Sequence, residues 1–220
     1  MFLQVIRQTE ARAPSRPQGG RGQNRARILD AASRLLRMRS LDALSMDEIA
    51  RTAGLTRRTI YNHFASTDEI FAVSRKALFA EIAPLVPVSI VDTASTRMAL
   101  TRFAFQAQRL FDDIRHADLH LAVAREGHAR PWIAHYYEAR IQSPMIAALA
   151  TCLAEARHNG EFAGDPHTAA FQLLWTIQAV TASRVFSCDA PPVGDATCVA
   201  IEGIVNAFLV QHAAETAIAA

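Results

Sequence analysis

The stretch Thr56-Arg57-Arg58-Thr59-Ile60-Tyr61-Asn62-His63-Phe64 gathers two guanidiniums, a phenol, a carboxamide and an imidazole. On a helix, Ile60 and Phe64 are four apart and share the inward face, so Arg57, Arg58, Tyr61 and Asn62 project outward near the N-terminal end. Guanidiniums and carboxamides make two-point hydrogen bonds to base edges, and hydroxyls and amides hold phosphates. The chemistry this implies is recognition of a DNA major groove, not bond breaking. Tyr61 and His63 also have a plainer reading, as side chains bonded within a helical bundle.

Other clusters are weaker. His116 and His120 are four apart with Asp112 nearby, which is metal-ligand spacing, but no HExxH motif accompanies them. Glu126, His128 and His135 offer carboxylate and imidazole without a nucleophile elbow, a Walker motif or a GxGxxG pattern. A helical metal-dependent enzyme is therefore a remote alternative, and no enzyme activity, metal or cofactor is expected. Cys152, Cys188 and Cys198 are odd in number and lack metal-ligand spacing, which argues against a disulfide framework.

The outward-facing residues need elements to present them. Between Gln23 and Arg39, Ala26, Ile28, Leu29, Ala32, Leu35, Leu36 and Met38 recur at helical spacing, which predicts a first amphipathic helix. Ser45-Met46-Asp47-Glu48 reads as a capping box, with the Ser45 hydroxyl taking a first-turn amide and Glu48 reaching back to the Ser45 amide. Gly54 suits a left-handed C-cap, and Thr56 caps the next helix. Two short helices joined by a glycine turn make a helix-turn-helix. Ser66-Thr67-Asp68-Glu69 is a second capping box and opens a fourth helix that Pro84 and Pro87 end.

Charge is divided to match. Residues 1–64 carry 12 Arg against 5 Asp+Glu, whereas the remainder carries 11 Lys+Arg against 16 Asp+Glu. A basic segment beside an acidic one suits a polyanion partner for the first. Lys76 is the only lysine, so nearly every cation is a guanidinium; a GC-rich genome explains the same bias. No apolar run reaches the roughly 18 residues that span a bilayer, and residues 1–20 interleave arginines with Pro and Gly. They read as a disordered arm on a cytoplasmic protein.

Taken together, Leu44-Ser45-Met46-Asp47-Glu48-Ile49-Ala50, Ala53-Gly54-Leu55-Thr56 and Thr59-Ile60-Tyr61-Asn62-His63-Phe64, followed by Ser66 and a helix, resemble the DNA-binding domain of TetR/AcrR-family transcriptional regulators. The resemblance covers about residues 23–82. It implies that the third helix lies in the major groove, with Arg57, Arg58 and Asn62 as base-reading candidates and Thr59, Tyr61 and His63 as phosphate or edge contacts. Ser45 and Thr56 carry two readings, capping alone or capping shared with phosphate binding. The family usually has Lys where this chain has Thr67, which reduces an ionic phosphate clamp to a hydroxyl and an amide; Arg25 or the arm would then supply affinity.

Helical periodicity continues through 96–113, 116–128, 131–159, 166–187 and 195–214, which predicts an all-α chain: a helix-turn-helix domain over 21–67, a helical ligand-binding and dimerisation domain over 68–214, and a tail over 215–220. Phe103, Gln106, Leu110, Val123, Trp132, Tyr136, Tyr137, Ile141, Met145 and Trp175 form an aromatic-rich set with a few polar handles, as small-molecule pockets do. Each of them is equally at home in a helical core. The last two helices carry long apolar faces, and the resemblance implies that they form a two-fold homodimer interface. Phe171, Gln178, Ala182, Val185, Ile201, Ile204, Val205 and Phe208 are its candidates. The expected function is a repressor binding a palindromic double-stranded operator and released by a small apolar or amphipathic effector, with no membrane partner. The alternative is a regulator controlled by a protein partner, without a pocket.

Neutralising phosphates with arginines releases condensed counterions, so binding to a DNA duplex should weaken steeply with salt. The logarithm of the affinity, titrated against the logarithm of salt concentration, should fall with a slope of several units; a slope near zero would contradict the basic surface.

Overall fold

The computed structural model describes residues 20–90, 95–186 and 195–213, without the side chains of 182–186 and 195–197. The expected arm and tail lie outside the described residues. Ten α-helices follow one another among the described residues, with no strand: α1 Gly20–Met38, α2 Met46–Ala53, α3 Arg57–Tyr61, α4 Thr67–Ile82, α5 Thr96–Phe111, α6 Ile114–Glu126, α7 Pro131–Tyr137, α8 Ser143–His158, α9 Pro166–Phe186 and α10 Asp195–Gln211. Short 3₁₀ turns at Leu41–Ala43 and Ala83–Leu85 precede α2 and follow α4. The helix expected over 131–159 is interrupted by a π-helical turn at Glu138–Gln142. Pro144 accounts for the slip: it has no N–H to donate and its ring crowds the carbonyl one turn earlier, so the register changes just before it.

The helices gather into two compact units that do not follow chain order. Of the described residues, one unit contains those up to Glu81 together with Ala117–His135, and the other contains those of Ile82–His116 and those from Tyr136 onward. In the first unit Ile28, Leu36, Leu41, Ile49, Ile60, Phe64, Ile70 and Phe71 are buried, as are Leu119 and Ile133 from the inserted segment. Trp132 meets Phe71 edge-on, with ring centroids 5.9 Å apart.

The inserted segment is also tied in by charge. Asp118 of α6 accepts Arg75 Nη1 of α4 at 3.2 Å on one oxygen and Arg37 Nε of α1 at 3.3 Å on the other. Arg75 is only 1% exposed and lies over the Phe71 ring. At the far end of α6, buried Glu126 accepts the Leu41 backbone N–H at 2.8 Å and Arg130 Nη1 at 2.8 Å. The same guanidinium donates from Nη2 to Asp42 and from Nε to Asp68, each at 2.7 Å, so one side chain joins the 3₁₀ turn, the first turn of α4 and the end of α6. Its two aspartate partners raise the Arg130 pKa against a smaller opposing effect of burial.

The second unit packs α5, α8, α9 and α10. Leu100, Phe103, Ala104, Ala107 and Leu110 from α5 are buried, with Met145, Leu149 and Leu153 from α8, Leu173, Leu174 and Ile177 from α9, and Ile201 and Val205 from α10. Helix ends here are set by local caps: Asp165 accepts the Thr168 N–H at 2.7 Å with Pro166 at the first helical position, and Gly160 after α8 takes φ +75°. Phe162 then stacks on Phe208, with centroids 6.3 Å apart.

Removing a partner from a buried ion pair strands the other charge, whereas an exposed pair contributes little. Asp118→Ala should therefore destabilise the protein by about 3–5 kcal/mol, and Arg37→Ala, whose side chain is 36% exposed, by about 1 kcal/mol or less. Urea unfolding midpoints compare the two; equal losses would show that Arg75 is not held as described.

Candidate nucleic-acid interface

The helix-turn-helix is assembled from capping bonds, a glycine and one arginine from α1. Ser45 Oγ accepts the Glu48 N–H at 3.2 Å and Thr56 Oγ1 accepts the Thr59 N–H at 3.1 Å. The Glu48 carboxylate pairs with Arg39 Nη1 at 2.8 Å, so the second half of the expected capping box is replaced by an ion pair to the end of α1. Gly54 sits at φ 62°, ψ 39°, and its N–H returns to the carbonyls of Ala50 and Arg51. A β-carbon there would stand 3.0 Å from Arg27 Nη2, which itself donates to the carbonyls of Ala53 and Gly54 at 2.7 and 3.0 Å. Glycine thus serves both the backbone and the approach of the arginine that fastens the turn to α1.

On α3, Ile60 is fully buried and Phe64, just past the helix, is 2% exposed, while Arg57, Arg58, Tyr61 and Asn62 face outward as the spacing predicts. Thr59 and His63 are half-buried at the flank, and the Thr59 hydroxyl lies 2.8 Å from that of Thr56. Arg57 Nη1 reaches Asp47 of α2 at 3.1 Å, and its guanidinium lies 5.6 Å above the Tyr61 ring. The Tyr61 hydroxyl first, and the Asp47 charge second, raise the Arg57 pKa further. Thr67 is the first residue of α4 and half-buried; the Ser66 hydroxyl caps that helix through the Glu69 N–H at 3.2 Å, and Glu69 reaches back to the Ala65 N–H at 2.7 Å. Arg25 stacks on Phe64, 4.8 Å from the ring centre, on the same unit as the exposed residues of α3.

The residues expected to line a pocket are divided between the two units. Phe103, Leu110, Tyr137, Ile141 and Met145 are buried in the second unit, Tyr136 is half-buried under Arg140, and Gln106 and Trp175 are exposed. Val123 and Trp132 belong to the first unit, where Lys76 lies 5.9 Å over the indole of Trp132. The second unit holds a buried polar pair that the sequence did not join: His116 Nε2 lies 2.8 Å from the Tyr137 hydroxyl, beneath Phe111. Burial raises the Tyr137 pKa well above its ordinary value, and a hydrogen bond with Gln178 opposes that rise. His116 is thus a core partner of Tyr137, not a member of a metal pair with His120; among the described residues no His, Cys, Asp and Glu group is arranged to hold a metal. A separate groove of about 380 Å³ is lined by Ser89, Thr96, Thr151, Cys152, Glu155 and Asn159, none of them among the expected pocket residues.

The assignment of the last two helices to a dimer face needs correcting in part. Gln178, Ile201, Val205 and Phe208 are buried within the chain, because α9 and α10 spend that side on α5 and on Phe162. Ile204 is half-buried, and the side chains of Ala182 and Val185 lie outside the described residues. The outward apolar side carries Phe171 and Trp175, 5.8 Å apart and 47% and 44% exposed, with Val199 and Val210 on α10.

Against known proteins, residues 28–73 match the family described as "Bacterial regulatory proteins, tetR family", and residues 98–214 match "AefR-like transcriptional repressor, C-terminal domain". An HTH-type transcriptional regulator of Mycobacterium tuberculosis is 30% identical over 158 residues, 71% of this chain and 79% of its own. The HTH-type transcriptional activator FasR of Mycolicibacterium smegmatis is 32% identical over 115 residues, 49% of this chain and 51% of its own. Among solved structures, the flavonoid-responsive regulator FrrA superposes with a TM-score of 0.64 at 24% identity, covering 86% of this chain and 96% of its own. No helix among the described residues is long and apolar enough to cross a membrane. With the helix-turn-helix matched by one family pattern and the helical remainder by a second, this chain belongs to the TetR family of DNA-binding transcriptional regulators.

Proposed function

We propose that the protein is a ligand-responsive repressor that binds a palindromic operator as a homodimer and is released by a small apolar or amphipathic effector. The observation that carries the dimer is the exposure of Phe171 and Trp175 on α9 and of Val199 and Val210 on α10, apolar side chains on helices whose buried residues already pack inward. A second copy related by a two-fold axis buries these side chains against their own counterparts and supplies the second recognition helix, one DNA turn away at roughly 34–36 Å. Arg58 and Asn62 read base edges, Thr59 and His63 hold backbone, and Ser45 and Thr56 combine capping with phosphate contact.

Repression rather than activation is favoured by the family matched across 98–214, whose description is that of a repressor; FasR, an activator by name, is similar over about half its length. Ligand response is supported by the buried His116, Tyr137 and Gln178 within a mainly apolar core, since small-molecule sites combine apolar walls with a few polar handles. FrrA is responsive to a flavonoid by its name, which suits an amphipathic ring system as the effector class. Such a ligand lowers operator affinity only by its differential binding to the two conformations.

Selection from random duplex DNA should return an inverted repeat. Arg58→Ala should relax one position per half-site at a cost of about 1–3 kcal/mol, whereas Thr59→Ala should weaken all sequences nearly alike. Equal losses on selected and random duplexes for Arg58→Ala would make it a phosphate contact. Trp175→Glu should sediment as a folded monomer, and a dimer surviving that change would place pairing elsewhere. Aromatic amphiphiles such as flavonoids should raise the melting temperature and dissociate the operator complex; if none does, control by a protein partner replaces the effector.

A further inference from the structure

Among the described residues, the first unit has two ion pairs with both partners exposed, Arg34–Asp30 within α1 and Arg57–Asp47, and of these only Arg57–Asp47 joins different helices. Arg75–Asp118 and Arg130–Glu126 fasten elements around buried carboxylates, but Arg57 and Asp47 are 67% and 58% exposed. A pair so exposed adds little to stability. Its location is on the surface that faces DNA: Asp47 lies in the first turn of α2, and Arg57 is the first residue of α3. The guanidinium is held from two sides, by the carboxylate at 3.1 Å and by the Tyr61 ring at 5.6 Å. Its neighbour Arg58 has no ionic partner among the described residues, so two adjacent arginines enter the groove in different states of restraint.

We propose that Asp47 is a positioning residue for Arg57, holding the guanidinium so that its remaining donors meet a guanine, and that this residue outside the recognition helix thereby sets operator sequence. Guanine offers O6 and N7 on its major-groove edge, and a planar guanidinium engages both only in a narrow range of orientations. An unrestrained arginine loses rotamer freedom on docking and can equally swing to a phosphate. The Asp47 carboxylate acts against that alternative, because it stays paired when the guanidinium faces a base and repels a phosphate drawn to the same place. Arg57 then discriminates among bases while Arg58, without such a partner, is free to contribute to both base and backbone.

The inference rests on the base-reading role given to α3, and one experiment separates the two. Full-length wild type, Asp47→Asn, Asp47→Glu and Arg57→Ala each select from random duplex DNA at a single salt concentration. The wild-type half-site is expected to contain a guanine position that Arg57→Ala loses. Asp47→Asn should lower preference at that same position by roughly threefold or more, a share of what a bidentate contact supplies, with all other positions retained and binding to random duplex undiminished. Asp47→Glu should recover part of it, and Asp47→Asn combined with Arg57→Ala should be no worse there than Arg57→Ala alone. If Asp47→Asn keeps the guanine preference that Arg57→Ala loses, the positioning role is overturned and the base contact stands. A loss spread evenly over all positions would make Asp47 a structural residue of α2 and also overturn it. Unchanged preferences in Arg57→Ala would overturn both.

Discussion

Asp118 and Glu126 are two buried carboxylates on one helix, and their need for partners organises the first unit. A charge removed from water is tolerated only where opposite charge and hydrogen bonds replace its hydration. Asp118 therefore draws in Arg75 and Arg37, and Glu126 draws in Arg130 and the Leu41 amide, which brings α1, α4 and the 3₁₀ turn onto a segment far away in the chain. Arg75 is the exacting member: it is buried, stacked on Phe71, and its Nε has no hydrogen-bond partner among the described residues. An arginine left short of one bond makes its remaining carboxylate contact more consequential.

Upon that frame the helix-turn-helix needs little more than local chemistry. A helix as short as α3 is unstable alone, because its few internal bonds do not offset nucleation. Its place depends on Ile60 and Phe64 being buried, on the Thr56 cap, and on the glycine turn that Arg27 grips from α1. The arginines thereby divide their work. Arg27, Arg37, Arg39, Arg75 and Arg130 hold the fold, while Arg57 and Arg58 remain on the outer face of α3. A basic N-terminal segment is thus partly a scaffold and only partly a ligand for phosphate.

In the second unit the same apolar composition meets two fates. Ile201, Val205 and Phe208 fill the interior, whereas Phe171, Trp175, Val199 and Val210 stay open. His116, Tyr137 and Gln178 are buried polar groups in this setting, and Tyr137 hydrogen-bonds with both of the others.

Local physics was legible in the sequence. Helical periodicity, Ser45, Thr56 and Ser66 as caps, Gly54 as a left-handed position, and the outward Arg57, Arg58, Tyr61 and Asn62 all depend on residues within a turn or two of one another. What stayed hidden depends on pairs far apart in the chain. A period of 3.6 marks an apolar face but carries no label for the element that covers it, so Phe208 and Phe171 look alike until α5 and Phe162 cover one and leave the other. Likewise Glu126 and Arg130 look like ordinary surface charges on a helix end, and Glu48 like half of a capping box. Only the tertiary structure decided that Glu126 would be buried in the first unit with Arg130 bridging it to Asp42 and Asp68, and that Glu48 would turn to Arg39, because the partners that make those choices favourable arrive from other elements.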